Sequence, residues 1–181
     1  WGLIHANIAT ATLFSATSGS SVATAATVAS VAMPQAERLN YDPRLFSGAI
    51  AAGGTLGIMI PPSINLIVYG FLTETSIPKL FLAGLIPGLL LALLFMAVTA
   101  ILCMIKPSLG GPGISSNWHR KMTGLIDLLP LLGLFTAIVG SIYAGWATLT
   151  EAGAVGVAMA MLIAGGQRAL SLSMIVESLK G

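Results

Sequence analysis

Between Leu80 and Ile105 the chain carries no Asp, Glu, Lys or Arg. At about 1.5 Å of rise per helical residue this run reaches roughly 40 Å, enough to cross a ~30 Å hydrocarbon core with some tilt. Pro87, near its start, predicts a kink. The rest of the composition agrees, because 56% of the 181 residues are hydrophobic and only 8% charged. A soluble domain carries about 25% charged residues, and so few charges would leave the surface of a water-borne globule largely apolar. A formal net charge of +2 from scattered basic residues excludes a nucleic-acid-binding face, which needs them clustered. The lone Cys103 excludes an intrachain disulfide and reads as a small apolar side chain in a helix. The expected class is an all-α integral membrane chain.

Further spans are predicted over residues 125–143 and 152–166. The first seventy residues read differently. Two short apolar stretches, Ile4 to Ser18 and Val22 to Met33, flank a polar Gly-Ser tip, which predicts a re-entrant helical hairpin over residues 1–33. A polar loop over 34–44 follows. Residues 45–73 have the length of a span, yet they contain Gly53-Gly54-Thr55, Gly57 and Pro61-Pro62-Ser63. Neither proline has an N–H, and Pro62 pushes Pro61 out of the helical region, so a discontinuous helix is predicted. The loop over 106–124 reads as a flexible connector, and 167–181 as an amphipathic surface helix leading to a further segment. With the hairpin entering from the cytoplasm, Arg38, Arg44, Lys106, Arg120 and Lys121 lie inside and Lys79 outside, the asymmetry that the positive-inside rule expects. A start at Trp1 without a basic n-region predicts no signal peptide and a piece of a longer protein.

Irregular backbone at membrane depth survives only where protein or a watery cavity satisfies it. Broken helices turn positive N-terminal ends toward anions and free carbonyls toward cations. Ser18, Ser20 and Ser21 supply hydroxyls at the tip, and carbonyls around Gly54 to Gly57, with Ser63 and Asn65, would complete an all-oxygen shell for a small hard cation beside an anionic ligand. The alternative is close packing, since Gly, Ala, Ser and Thr also line helix contacts in membranes. Glu151 is either a functional intramembrane carboxylate or a helix N-terminal charge beside a Thr150 cap, and Asp127 reads as an interfacial helix start. His5 and His119 have no partner at metal-ligand spacing, and Asn7 is a buried polar contact or interhelical glue.

Three stretches resemble a known family: Ser18-Gly19-Ser20-Ser21-Val22-Ala23-Thr24-Ala25-Ala26-Thr27, Gly53-Gly54-Thr55-Leu56-Gly57-Ile58-Met59-Ile60-Pro61-Pro62-Ser63, and Leu80-Phe81-Leu82-Ala83-Gly84-Leu85-Ile86-Pro87-Gly88. Their order and spacing resemble the large membrane subunit of tripartite ATP-independent periplasmic (TRAP) transporters. The resemblance implies a multi-pass inner-membrane, elevator-type secondary transporter, driven by Na+ as coupling ion, that takes up organic acids such as C4-dicarboxylates or sialic acid. It also implies a small membrane subunit and a periplasmic substrate-binding protein as partners. The sodium site would draw on Ser18, Gly19, Ser20, Ser21, Gly54, Gly57 and Pro61, and the substrate wall on Ser20, Ser21, Thr24, Pro62, Ser63 and Asn65. Where the family has Thr-Pro-Thr-Glu-Ala, this chain has Thr148-Leu149-Thr150-Glu151-Ala152. An inverted second hairpin and Pro-Pro break would belong to a further segment, so the chain is read as half of a transport domain. The competing readings are another sodium/divalent-anion symporter, a multimeric channel with the hairpin as filter, and a packing module without a site. An enzyme is excluded by the lack of a catalytic set at usable spacing.

Overall fold

The computed structural model describes residues 2–111, 128–167 and 170–180, and every element over them is helical. In order these are α1 (Gly2–Ser18), α2 (Ser21–Arg38), α3 (Pro43–Thr55), α4 (Ile64–Leu72), α5 (Ile77–Ile105), α6 (Leu129–Tyr143), α7 (Leu149–Gly166) and α8 (Leu172–Lys180). Short 3-10 turns occupy Leu56–Ile58 and Pro107–Gly110. Contacts divide the chain into two compact units, Trp1–Thr123 and Gly124–Gly181.

In the first unit α1 and α2 form a helical hairpin against which α3 and α5 pack. Ile4, Ile8 and Ala11 of α1 recur at helical spacing and meet Val28 and Ala32 of α2, Phe46 and Ile50 of α3, and Cys103 of α5 in one buried cluster. Cys103 is thus the small buried side chain that its apolar surroundings predict.

The second hairpin arm is longer than expected. It does not stop at Met33 but passes Pro34 and ends at Arg38, so residues 34–38 of the expected loop are helix. Its C-terminus explains the difference. Asn40 adopts a left-handed conformation (φ 51°), the Tyr41 N–H donates to the Ala36 carbonyl and the Asn40 N–H to that of Glu37. This is the Schellman arrangement, and Tyr41 and Ala36 are both buried in the core cluster. Two residues later Asp42 caps α3, accepting from the N–H groups of Arg44 and Leu45 at 3.0 and 2.9 Å, with Pro43 in the first turn. The start of α3 therefore precedes the expected Leu45.

The helix is interrupted after Thr55, as the glycines and prolines predict, and resumes at Ile64; the Pro61-Pro62 bond is cis. α5 starts at Ile77, earlier than the expected Leu80, and runs on through Pro87 as one helix. The start of the expected flexible connector is ordered: the Asp42 N–H donates to the Leu109 carbonyl at 3.4 Å, and Gly111 lies against the Tyr41 ring.

In the second unit α6 and α7 pack at Gly156, where an added Cβ would sit 2.9 Å from Ile138 Cδ1. α7 begins at Leu149, not Ala152, and its cap is Thr148 in place of the expected Thr150. The Thr148 N–H donates to Glu151 Oε2 at 2.7 Å and the Glu151 N–H to Thr148 Oγ1 at 3.4 Å, a capping box. Glu151 is thereby accounted for as a helix-end group. α5 and α7 are long and apolar enough to cross a membrane, whereas α6 has 15 described residues. The expected start of that span at residue 125, with His119, Arg120, Lys121, Asp127 and Arg168, lies outside the described residues. α8 occupies the expected amphipathic segment.

Candidate functional site

The tip of the hairpin and the break of the discontinuous helix, more than thirty residues apart in sequence, touch backbone to backbone. Gly19 makes the turn between α1 and α2 with φ +60°, a conformation that costs an L side chain roughly 1–2 kcal/mol. A Cβ there would lie 2.5 Å from the Pro62 carbonyl oxygen. The Gly19 carbonyl in turn accepts from the Ile64 N–H at 3.4 Å.

The glycines of α3 and the break each face a different part of the hairpin. A Cβ on Gly53 would be 2.8 Å from Ala11 Cβ on α1, one on Gly54 2.7 Å from Ala25 Cβ on α2, and one on Gly57 3.0 Å from the Ser20 carbonyl carbon at the tip. Any side chain at these positions would push the break off the hairpin. The spacing of the Gly53-Gly54-Thr55-Leu56-Gly57 run thus matches both arms and the turn of the element that it receives.

Four helix ends meet at this junction. α1 and α3 end there at Ser18 and Thr55, and α2 and α4 begin there at Ser21 and Ile64. Helix C-termini carry partial negative charge and N-termini partial positive charge, so the junction offers carbonyl oxygens to a cation and N–H groups to an anion. The prolines sharpen this. Pro61 and Pro62 cannot donate to the carbonyls of Gly57 and Ile58. Ser63 Oγ replaces one missing donor, bonding the Ile58 carbonyl at 2.7 Å. The Gly57 carbonyl loses its helical donor beside Ser20.

The hydroxyls divide into two sets. Ser18 Oγ lies 2.8 Å from Thr24 Oγ1 and donates to the Ser20 carbonyl at 3.2 Å, while Ser20 Oγ caps α2 by accepting from the Ala23 N–H at 3.4 Å. Ser20 and Ser21 are partly exposed at the junction. Thr24 and Ser63, both 0% exposed, spend their hydroxyls inside the protein. They buttress the tip and the break. Ser18, Gly19, Ser20, Ser21, Gly54, Gly57, Pro61 and Pro62 come together here. Asn65 stands exposed on the first turn of α4, and none of these close approaches involves it.

α5 supplies a floor that composition alone did not assign. A Cβ on Gly84 would lie 2.6 Å from the Met59 carbonyl oxygen, and one on Gly88 2.8 Å from Ile60 Cγ1. The pair, one turn apart and flanking Pro87, is the small-xxx-small pattern that permits close approach of backbones. Asn7 is 6% exposed and leaves Nδ2 without a hydrogen-bond partner, at a cost of about 1–3 kcal/mol. His5 Nε2 lies 3.0 Å from the Met96 carbonyl, linking α1 to α5. Among the described residues no group of three or more His, Cys, Asp and Glu is placed to hold a metal ion.

Residues 2–181 match the family described as tripartite ATP-independent periplasmic transporter, DctM component. The C4-dicarboxylate TRAP transporter large permease protein DctM of Pseudomonas aeruginosa is 40% identical over 168 residues, which cover 90% of this chain and 38% of that protein. The ectoine TRAP transporter large permease protein TeaC of Halomonas elongata is 35% identical, covering 90% of this chain and 38% of that protein. The sialic acid TRAP transporter permease protein SiaT of Haemophilus influenzae is 32% identical, over 90% of this chain and 26% of that protein. The chain therefore spans two fifths or less of the length of these relatives.

Proposed function

The chain belongs to the DctM component family of tripartite ATP-independent periplasmic transporters, and from that membership we propose that it forms half of the transport domain of a sodium-coupled importer of organic acids. The observation that carries the reading is the seat of the hairpin tip on the helix break, Gly19 against the Pro62 carbonyl and Gly57 against Ser20. Sodium binds among the oxygens of Ser18 to Ser21 and of the break from Gly54 to Pro61. The anionic group of the substrate lies beside it, held by Ser20, Ser21 and the N-terminal ends of α2 and α4, with no arginine near them among the described residues. Bound sodium draws tip and break together and so builds the substrate wall, which couples the two solutes.

The hairpin is re-entrant, the protein resides in the bacterial inner membrane, and the transport domain moves as an elevator against the remaining helices. A periplasmic binding protein delivers the substrate and a small membrane subunit completes the transporter. Substrates are carboxylates of the kind after which the relatives are named, C4-dicarboxylates, ectoine and sialic acid. The contacts of Gly53 with Ala11 and Gly54 with Ala25 equally suit the packing-module reading, under which tip substitutions alter stability alone.

The test is uptake of labelled C4-dicarboxylate and sialic acid into proteoliposomes containing the full-length parent, with and without sodium and its binding protein. Uptake requiring both is expected. Uptake requiring sodium alone would move the protein to the divalent-anion symporter class, and none under any condition would favour the packing module.

A further inference from the structure

From the first turn of α3 to Ala52, an apolar cavity of about 180 Å³ opens between α1, α3 and α5. Arg44, Gly48 and Ala52 form one wall, a stripe at four-residue spacing along α3, and Phe95, Val98 and Leu102 form a matching stripe on α5. Gly48 makes the width, because a Cβ there would meet nothing within 4 Å, unlike the filled positions at Gly53 and Gly54. Thr99 keeps the wall apolar by donating its hydroxyl to the Phe95 and Met96 carbonyls at 3.0 and 2.9 Å. The charge is confined to one end. Arg44 is exposed at the start of α3, where Asp42 spends an oxygen on backbone N–H groups. Lys106, also exposed, follows Leu102 by four residues and donates its N–H to the Leu102 carbonyl at 2.9 Å.

We propose that this groove is a binding site for an anionic phospholipid, with one acyl chain between the two stripes and the phosphate at Arg44. A cavity of this volume is too small for even one turn of a helix of about 10 Å diameter and holds part of a single hydrocarbon chain. Its basic end lies where α3 begins and α5 ends, the level at which headgroups meet the protein, and a basic residue there favours anionic over zwitterionic lipid by about 1 kcal/mol, about fivefold. The basic end of the site is separate from the tip and break, and its occupancy is read without any transport measurement.

The experiment is native mass spectrometry of the purified full-length protein titrated with phosphatidylglycerol or phosphatidylcholine. Gly48→Leu, which fills open space and replaces a helix-interior glycine, lowers retention of both lipids at least fivefold, and Arg44→Gln reduces the preference for phosphatidylglycerol about fivefold. Unchanged retention in Gly48→Leu would overturn the proposal in favour of cover by another segment of the full-length chain. An unchanged preference in Arg44→Gln would overturn the anionic assignment. Photolabelling of the wild-type protein by a diazirine-bearing phosphatidylglycerol provides a check free of variants: marks within 44–52 or 95–102 support the site, and marks confined to other segments contradict it.

Discussion

Glycine does different work around the tip and break and along much of α6 and α7. Around the tip and break, an added Cβ at Gly19, Gly54, Gly57, Gly84 or Gly88 lands 2.5–3.0 Å from another segment, most often on backbone. On α6 and α7, Gly133, Gly140 and Gly153 have nothing within 4 Å. Around the tip and break the residue is there because two segments must meet closely; at Gly133, Gly140 and Gly153 it only leaves room. Sequence shows the same letter in both. Only the structure tells them apart fully, although Gly19 and Gly57 lie near a polar turn or the Pro-Pro pair, and Gly84 and Gly88 flank Pro87.

Substitutions can break this contrast. The largest effect is expected from Gly19→Ala, which combines the left-handed φ with a collision against Pro62: a loss of about 3 kcal/mol or more, with sodium-driven uptake by the full-length protein falling to background. Gly57→Ala should follow at about 1–3 kcal/mol, with weakened sodium binding as its main signature. Ser20→Ala should cost about 1 kcal/mol through its cap on α2 and in addition weaken sodium binding, whereas Ser30→Ala, whose exposed hydroxyl bonds within its own helix to Thr27, should leave sodium binding alone. Thr148→Ala should remove about 1 kcal/mol by opening the capping box, seen as a lower thermal midpoint with uptake retained. At the small end, Gly140→Ala should be neutral or stabilising by up to about 1 kcal/mol. Destabilisation there as large as at Gly57 would erase the distinction between the two regions.

The elements that sequence reveals best are those set by strong, local physics. An uncharged run long enough to cross a bilayer gave α5, and paired glycines and prolines gave the break. Boundaries were harder. Polar Gln35, Glu37 and Arg38 read as loop, yet the helix continues beneath them because Ala36 packs into the core and Asn40 terminates the helix in a left-handed turn; hydropathy carries no mark of either. The same limit governed the candidate site. Residue types at Ser18 to Ser21 and Gly54 to Pro62 indicated an oxygen-rich junction, and the two segments do meet. Sequence gives a hydroxyl without its direction: that Thr24 meets Ser18 and Ser63 the Ile58 carbonyl was not legible in residue type. Gly84 and Gly88 were recognisable only as a spacing, since the break that they receive lies far from them in sequence.

The central claim is that tip and break form one sodium site. The direct measurement is a sodium-binding isotherm for the full-length protein carrying Gly57→Ala or Ser20→Ala, set against wild type and Ser30→Ala under conditions where all four are folded. The account predicts at least a tenfold weakening in the first two and none in the third. Identical isotherms in all four would contradict it and leave the junction as packing alone.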